Sequence, residues 1–145
     1  MMETMNAEEM MSLQSGIAAF ESKQFVRAYQ LLYPLAEAGH SGAQYRLAIM
    51  NQNGLGMVVN SAEAYRWMLA AAEQGLELAQ HGLGFMYMVG ECVKQDDAQA
   101  VHWFRLAAER GLAGAQVTLA SLYEQGRGVE KDLEEAKRWY AKASI

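Results

Sequence analysis

From residue 12 onward, apolar residues recur every three or four positions in short runs, and each run stops at glycine or at a cluster of polar residues. A period near 3.6 is that of a helix with one buried face. Runs near 41–53, 77–89 and 113–125 each place an alanine and a leucine four residues apart, as in Ala43 and Leu47. Each is followed by a glycine-containing segment and then a second run, of which Ala64, Trp67, Met68 and Ala71 form the first apolar stripe. Asn60, Asp96 and Asp132 open these second runs, with Glu63, Gln99 and Glu135 three residues on. That spacing predicts N-caps with a reciprocal capping box.

The runs are copies of one another. Ala43, Ala79 and Ala115 stand 36 residues apart, as do Leu47, Leu83 and Leu119. Gly54, Gly90 and Gly126 keep the same step, and so do Ala64, Ala100 and Ala136, and Trp67, Trp103 and Trp139. Gly39, Gly75 and Gly111 punctuate the units. Glycine at a helix end supplies the left-handed backbone that other residues resist. The three tryptophans are expected in the core, where large rings fill space between helices brought close by alanine.

Residues before 40 read as a shortened first unit, because Ala28, Leu32, Leu35, Ala36 and Gly39 precede Ala64, Met68, Ala71, Ala72 and Gly75 by the same 36 residues. Its helices are predicted over 12–22 and 25–38, with a turn at Lys23–Gln24 and residues 1–10 frayed or extending the first helix. Pro34 removes one backbone bond inside the second and is expected to kink it. The methionines at 1, 2, 5, 10 and 11 suit either an adaptable binding surface or an unordered tail. The fold expected is all-α: an α-α superhelix, or solenoid, of four stacked helix-turn-helix repeats in one domain over 1–145, with repeats at about 12–39, 40–75, 76–111 and 112–145.

Composition narrows the function classes. The net charge is −5 with no long charge run, which disfavours nucleic acid and anionic membrane as partners. No apolar stretch approaches the roughly 20 residues of a membrane span. The acidic N-terminus does not read as a secretory signal, one cysteine gives no disulfide framework, and the expected compartment is the cytoplasm. His40, His81 and His102 lie on three segments without metal-ligand spacing. Cys92 has no CxxC partner, and Gly54-Leu55-Gly56 and Gly126-Arg127-Gly128 lack the lysine and hydroxyl of a phosphate loop. No catalytic residue, cofactor or metal site is expected.

These residues resemble the Sel-one-like repeat family, relatives of tetratricopeptide repeats. The last unit carries the family pattern as Ala115, Leu119, Tyr123, Gly126, Gly128, Val129, Asp132, Ala136, Trp139 and Tyr140, and the third adds Gly84 and Tyr87. Asn51, Cys92, Asn60 and Leu31 depart from it, at a Tyr, a loop Gly, an Asp and a Trp site. The resemblance implies an inner surface lined by the first helix of each pair. Phasing the helices on Leu47, Leu83 and Leu119 sets Leu13 and Ile17 there with Phe20 at the rim, then Tyr45, Ile49 and Gln52, then His81, Phe85 and Met88, then Val117, Ser121 and Glu124. An apolar set at outward positions marks a partner site; the competing reading puts part of it in the core.

The function expected is therefore a non-catalytic module or adaptor binding a peptide or folded protein in a groove. The resemblance extends this to an immunity protein neutralising a cognate toxin. It also implies a rival, since a cysteine-rich branch of the family is linked to β-lactam binding and hydrolysis, but this chain lacks paired cysteines and any Ser-x-x-Lys motif. A self-assembling structural protein is the third alternative. Trp139, Tyr140 and Ala143 would then offer an apolar edge, continued by Ile145, for weak homodimer formation through the C-terminal repeat.

Overall fold

The computed structural model describes residues 4–144, which form eight α-helices and no strand. They pair as α1 (Ala7–Glu21) with α2 (Phe25–Glu37), α3 (Ser41–Asn53) with α4 (Ser61–Glu73), α5 (Glu77–Val89) with α6 (Asp97–Glu109), and α7 (Ala113–Gln125) with α8 (Leu133–Ala143). The class is the all-α helix-turn-helix repeat array expected. By contacts the chain divides into two compact units, α1–α4 ending at Gln74 and α5–α8 beginning at Gly75.

In the first unit, α2 packs on both α1 and α3, and α3 packs on α4. Ala28, Leu32, Leu47, Met50, Ala64, Trp67 and Met68 are buried there. Tyr33 and Trp67 meet as a T-shaped pair with ring centroids 6.1 Å apart. The helix α2 runs through Pro34, which is exposed. In the second unit, α6 packs on α5 and α7, and α7 on α8. Its core gathers Ala100, Val101, Phe104, Ala107, Leu119, Leu122 and Trp139. Alanine at the crossing points keeps the helices close, and burying a ring the size of Phe104 contributes about 2 kcal/mol.

Each loop between paired helices in the last three repeats closes in the same way. Gly54, Gly90 and Gly126 end the first helix in the left-handed region, at φ of 66°, 74° and 68°. The N–H of Asn60, Asp96 and Asp132 then donates to the carbonyls of Asn51, Tyr87 and Tyr123, at 2.9, 2.9 and 3.0 Å. The side chains of the same three residues accept from the N–H groups of Glu63, Gln99 and Glu135. The caps are therefore as expected on one arm only. The return arm of the box is replaced, because the cap N–H is already committed to the loop-closing carbonyl nine residues back. Glu63 and Glu135 turn to Arg66 and Arg138 instead. A full reciprocal box does form at Asn6, which accepts from Glu9 N–H at 2.8 Å while its own N–H donates to the Glu9 carboxylate. That cap starts α1 at Ala7, so residues 7–10 extend the first helix, one of the two alternatives expected for the N-terminal segment.

The tryptophans also divide. Trp67 and Trp139 are buried, but Trp103 is only half-buried, while Phe104 beside it, at the register of the buried Met68, has no exposed surface. On α5, Gly84 replaces the Ala48 and Ala120 of its sister helices. A methyl group at Gly84 would sit 3.0 Å from the Phe104 ring, so its absence makes the space the ring fills.

Candidate functional site

None of the residues placed at outward positions of the first helices is fully buried, and Met88 packs against the core of the second unit. They fall into two sets, one in each unit. In the first unit, Leu13, Ile17 and Phe20 on α1 and Tyr45, Ile49 and Gln52 on α3 are all half-buried. The Arg46 guanidinium lies 6.0 Å from the centroid of the Phe20 ring and donates to the carbonyl of Gly42 at 3.1 Å. A cation is thus fixed within this face. Burial pushes the Tyr45 hydroxyl above its ordinary pKa, so it is a neutral donor and acceptor at neutral pH. His40 caps α3 with Nδ1, accepting from the Ala43 N–H at 3.2 Å, and burial together with the charge of Arg46 holds its pKa below the usual histidine value.

In the second unit, His81 and Met88 on α5 are half-buried and Phe85 is 43% exposed. On α7, Val117 is 45% exposed, Ser121 half-buried and Glu124 exposed. The two helices meet at His81, whose Nε2 lies 3.7 Å from the point where a side chain on Gly114 would begin. The His81 and Phe104 rings meet as a T-shaped pair at a centroid distance of 5.4 Å, and burial lowers the His81 pKa, so it stands neutral at pH 7.

The sequence reading left out several members of these surfaces. Leu78 and Val89 are 45% and 50% exposed on α5, seven residues before and four after Phe85, and so on the same face. Extending the helical stripe by a turn each way finds them. Val58, at 88% exposure, and Val59 project from the α3–α4 loop. The corresponding loops carry Lys94–Gln95 and Glu130–Lys131, so this apolar tip belongs to one repeat alone.

The remaining chemistry-bearing residues do not converge. Among the described residues no three of His, Cys, Asp and Glu lie together so as to hold a metal ion, and no helix is long and apolar enough to cross a membrane. Cys92 is half-buried in the α5–α6 loop at φ 68°, where Gly56 and Gly128 stand in the other loops. His102 is exposed and meets the ring of Trp103 edge to face. Arg127, between the two loop glycines, binds the Asp97 carboxylate at 2.9 Å, which makes that segment a docking loop and not a phosphate cradle. At α8, Trp139 is buried with the Lys142 ammonium 4.4 Å from its ring centroid, and Tyr140 and Ala143 are half-buried. Met1, Met2 and Ile145 lie outside the described residues; Met5 is half-buried, and Met10 and Met11 are exposed on α1.

Comparison with known proteins places this arrangement. The Sel1 repeat profile matches residues 41–76, 78–112 and 113–144. A protective antigen present in uropathogenic Escherichia coli strains, displaying an SLR fold, is similar at 37% identity and a TM-score of 0.89 over 94% of this chain and 30% of its own. A Sel1 repeat protein from Oxalobacter formigenes is similar at 32% identity and a TM-score of 0.87, covering 91% of this chain and 54% of its own. The chain therefore spans about a third and about half of the length of these two relatives. Helicobacter pylori cysteine rich protein B shares the fold, with a TM-score of 0.62 at 18% identity over 97% of this chain and 90% of its own. Comparison with curated proteins gave no match. The repeat profile over most of the chain, together with two structural relatives above 30% identity, establishes that this chain belongs to the Sel1 repeat family.

Proposed function

We propose that the chain holds a protein partner, as a peptide segment or a folded surface, on the outward faces of its first helices. Sel1 repeat proteins are generally protein–protein interaction modules and generally non-enzymatic. The observation that carries the reading is Phe85, a large ring 43% exposed on α5, together with Val117, 45% exposed on α7, at positions that a solvated helix fills with polar groups. Tyr45 and Ile49 give the first unit a half-buried counterpart. A module of this kind serves either as an adaptor or as an immunity protein that blocks a toxin by occupying its surface. Both roles need the same face and differ in the partner.

The test is recovery of the partner from the native host by the full chain and by variants. Phe85→Asp should lose the partner and Tyr45→Ala should weaken binding by roughly 2 kcal/mol, with helical circular dichroism unchanged in both. Glu130→Lys, on an exposed loop, should behave as the unsubstituted chain. Retention of the partner by both face variants, or unfolding of both, would remove this reading.

A further inference from the structure

We infer that the α5–α7 face takes an apolar segment flanked by lysine or arginine. This rests on the reading of that face as a docking surface and adds the chemistry of its occupant. The centre is apolar: Leu78, Phe85, Val89 and Val117 are each between 43% and 50% exposed. The charge carried on the two helices themselves is of one sign. Glu77 in the first turn of α5 and Glu124 in the last turn of α7 are the only charged residues of the two helices, and neither helix carries lysine or arginine. The third group that could be cationic, His81, is half-buried against Phe104 and stands beside Gly114. Of the arginines of this unit, Arg105 donates to the Tyr123 hydroxyl at 2.7 Å, and Arg127, paired with Asp97, also donates to the Met88 carbonyl at 3.5 Å. The Arg110 guanidinium lies against Gly75, at the start of the unit. The corresponding face of the first unit differs, because Arg46 lies against Phe20 within it.

The geometry sets a spacing as well as a sign. Helix spacing puts Glu77 on the face of His81 and Phe85, and Glu124 on the face of Val117 and Ser121. Helices joined by short turns reverse direction, so α5 and α7 run the same way and the two carboxylates lie toward opposite ends of the face. A 13-residue helix is about 20 Å long. An extended segment covers that span in about six residues, so its cations flank a short apolar stretch. Carboxylates at the rim of an apolar patch act mainly on sign selection and association rate, so the carboxylates select the partner while Phe85 and Val117 hold it.

Selection from a library of short random peptides against the full chain tests this. The recovered peptides should carry an excess of lysine and arginine over aspartate and glutamate around apolar residues, and should bind less tightly as salt is raised. Glu77→Gln combined with Glu124→Gln should weaken them roughly three- to tenfold and remove most of the salt dependence, with circular dichroism unchanged. Phe85→Asp should abolish binding. Peptides that need Phe85 but show no basic excess, or bind the double glutamine variant as well as the unsubstituted chain, would overturn the charge assignment and leave the docking face standing. Peptides indifferent to Phe85→Asp, or no selected peptide at all, would overturn both. A dimer of the chain that Phe85→Asp dissociates would give the face to a second copy and overturn the proposal too.

Discussion

Glycines in this chain do two different jobs that the sequence writes with the same letter. Gly111 ends a repeat at φ 94° with open space where a side chain would stand. Gly128 has φ 72° and also rests on α6, where a methyl group would run into the Asp97 carbonyl oxygen and the Val101 side chain. Gly111→Ala should therefore cost only the backbone strain, about 1 kcal/mol, whereas Gly128→Ala adds a collision with main chain and should cost about 3 kcal/mol or more. Urea midpoints separate the two; equal losses would mean that the docking of the loop on α6 contributes little. The 36-residue register made both glycines visible in sequence, but it could not say which one touches a neighbour. Cys92 shows the same limit, since it accepts a φ of 68° at a glycine position and so reads as drift. Trp103 shows the converse: its register predicts core, yet it is half-buried, while Phe104 fills the space left at Gly84, a contact no single position announces.

Helix phase was legible because alanine and leucine recur at the same turn of α3, α5 and α7, and α4, α6 and α8 carry caps of the right type. What the pattern hid was how helices are tied to one another through polar groups in the core. Gln44 and Gln116 are buried at the same register, one residue after Ala43 and Ala115. Their side-chain amides donate to the carbonyls of Ala36 and Ala108, near the ends of α2 and α6, at 3.0 and 3.1 Å. Gln44 also accepts from the Gln74 amide at 2.7 Å, so one side chain links α3 to the ends of both neighbouring helices. A periodic glutamine was the available signal; a polar residue next to a core alanine reads as surface unless its recurrence is noticed. Gln44→Leu keeps the volume and removes both bonds, leaving the Ala36 carbonyl buried without this donor. The expected loss is about 1–3 kcal/mol in chemical denaturation. An unchanged midpoint would show that the link is dispensable.

At the scale of the whole chain, each unit holds one histidine whose pKa lies below the ordinary value, His40 through burial and the charge of Arg46, and His81 through burial. The unfolded chain takes up a proton more readily than the folded one at both sites. Their contribution to stability is therefore complete above about pH 6.5 and is lost as pH falls toward and through the lowered values. Between about pH 7 and 5.5 the urea midpoint should fall, and His40→Asn with His81→Leu should flatten that slope, since asparagine keeps a capping acceptor without titrating. A slope unaffected by the double substitution would place its origin elsewhere. The division at residues 74 and 75 was not readable from the sequence, because the repeat register runs through that point without a break. The outward residues were legible to the extent that helix phase fixed their side of each helix; the charge difference between the two units needed Arg46 and His81 seen in their surroundings. The loop closures carry one more consequence, for how such a chain grows. Every latch from cap N–H to the carbonyl nine residues back begins and ends inside its own repeat, and the loop glycine rests on the preceding repeat in the first unit and again in the second. Within each unit the joint is head-to-tail, so a duplication of 36 codons taken from inside a unit carries the same latch and the same seat with it. Gene length in such a lineage is then free to change by recombination in whole repeats, while a slip of one or two codons inside a loop destroys the joint.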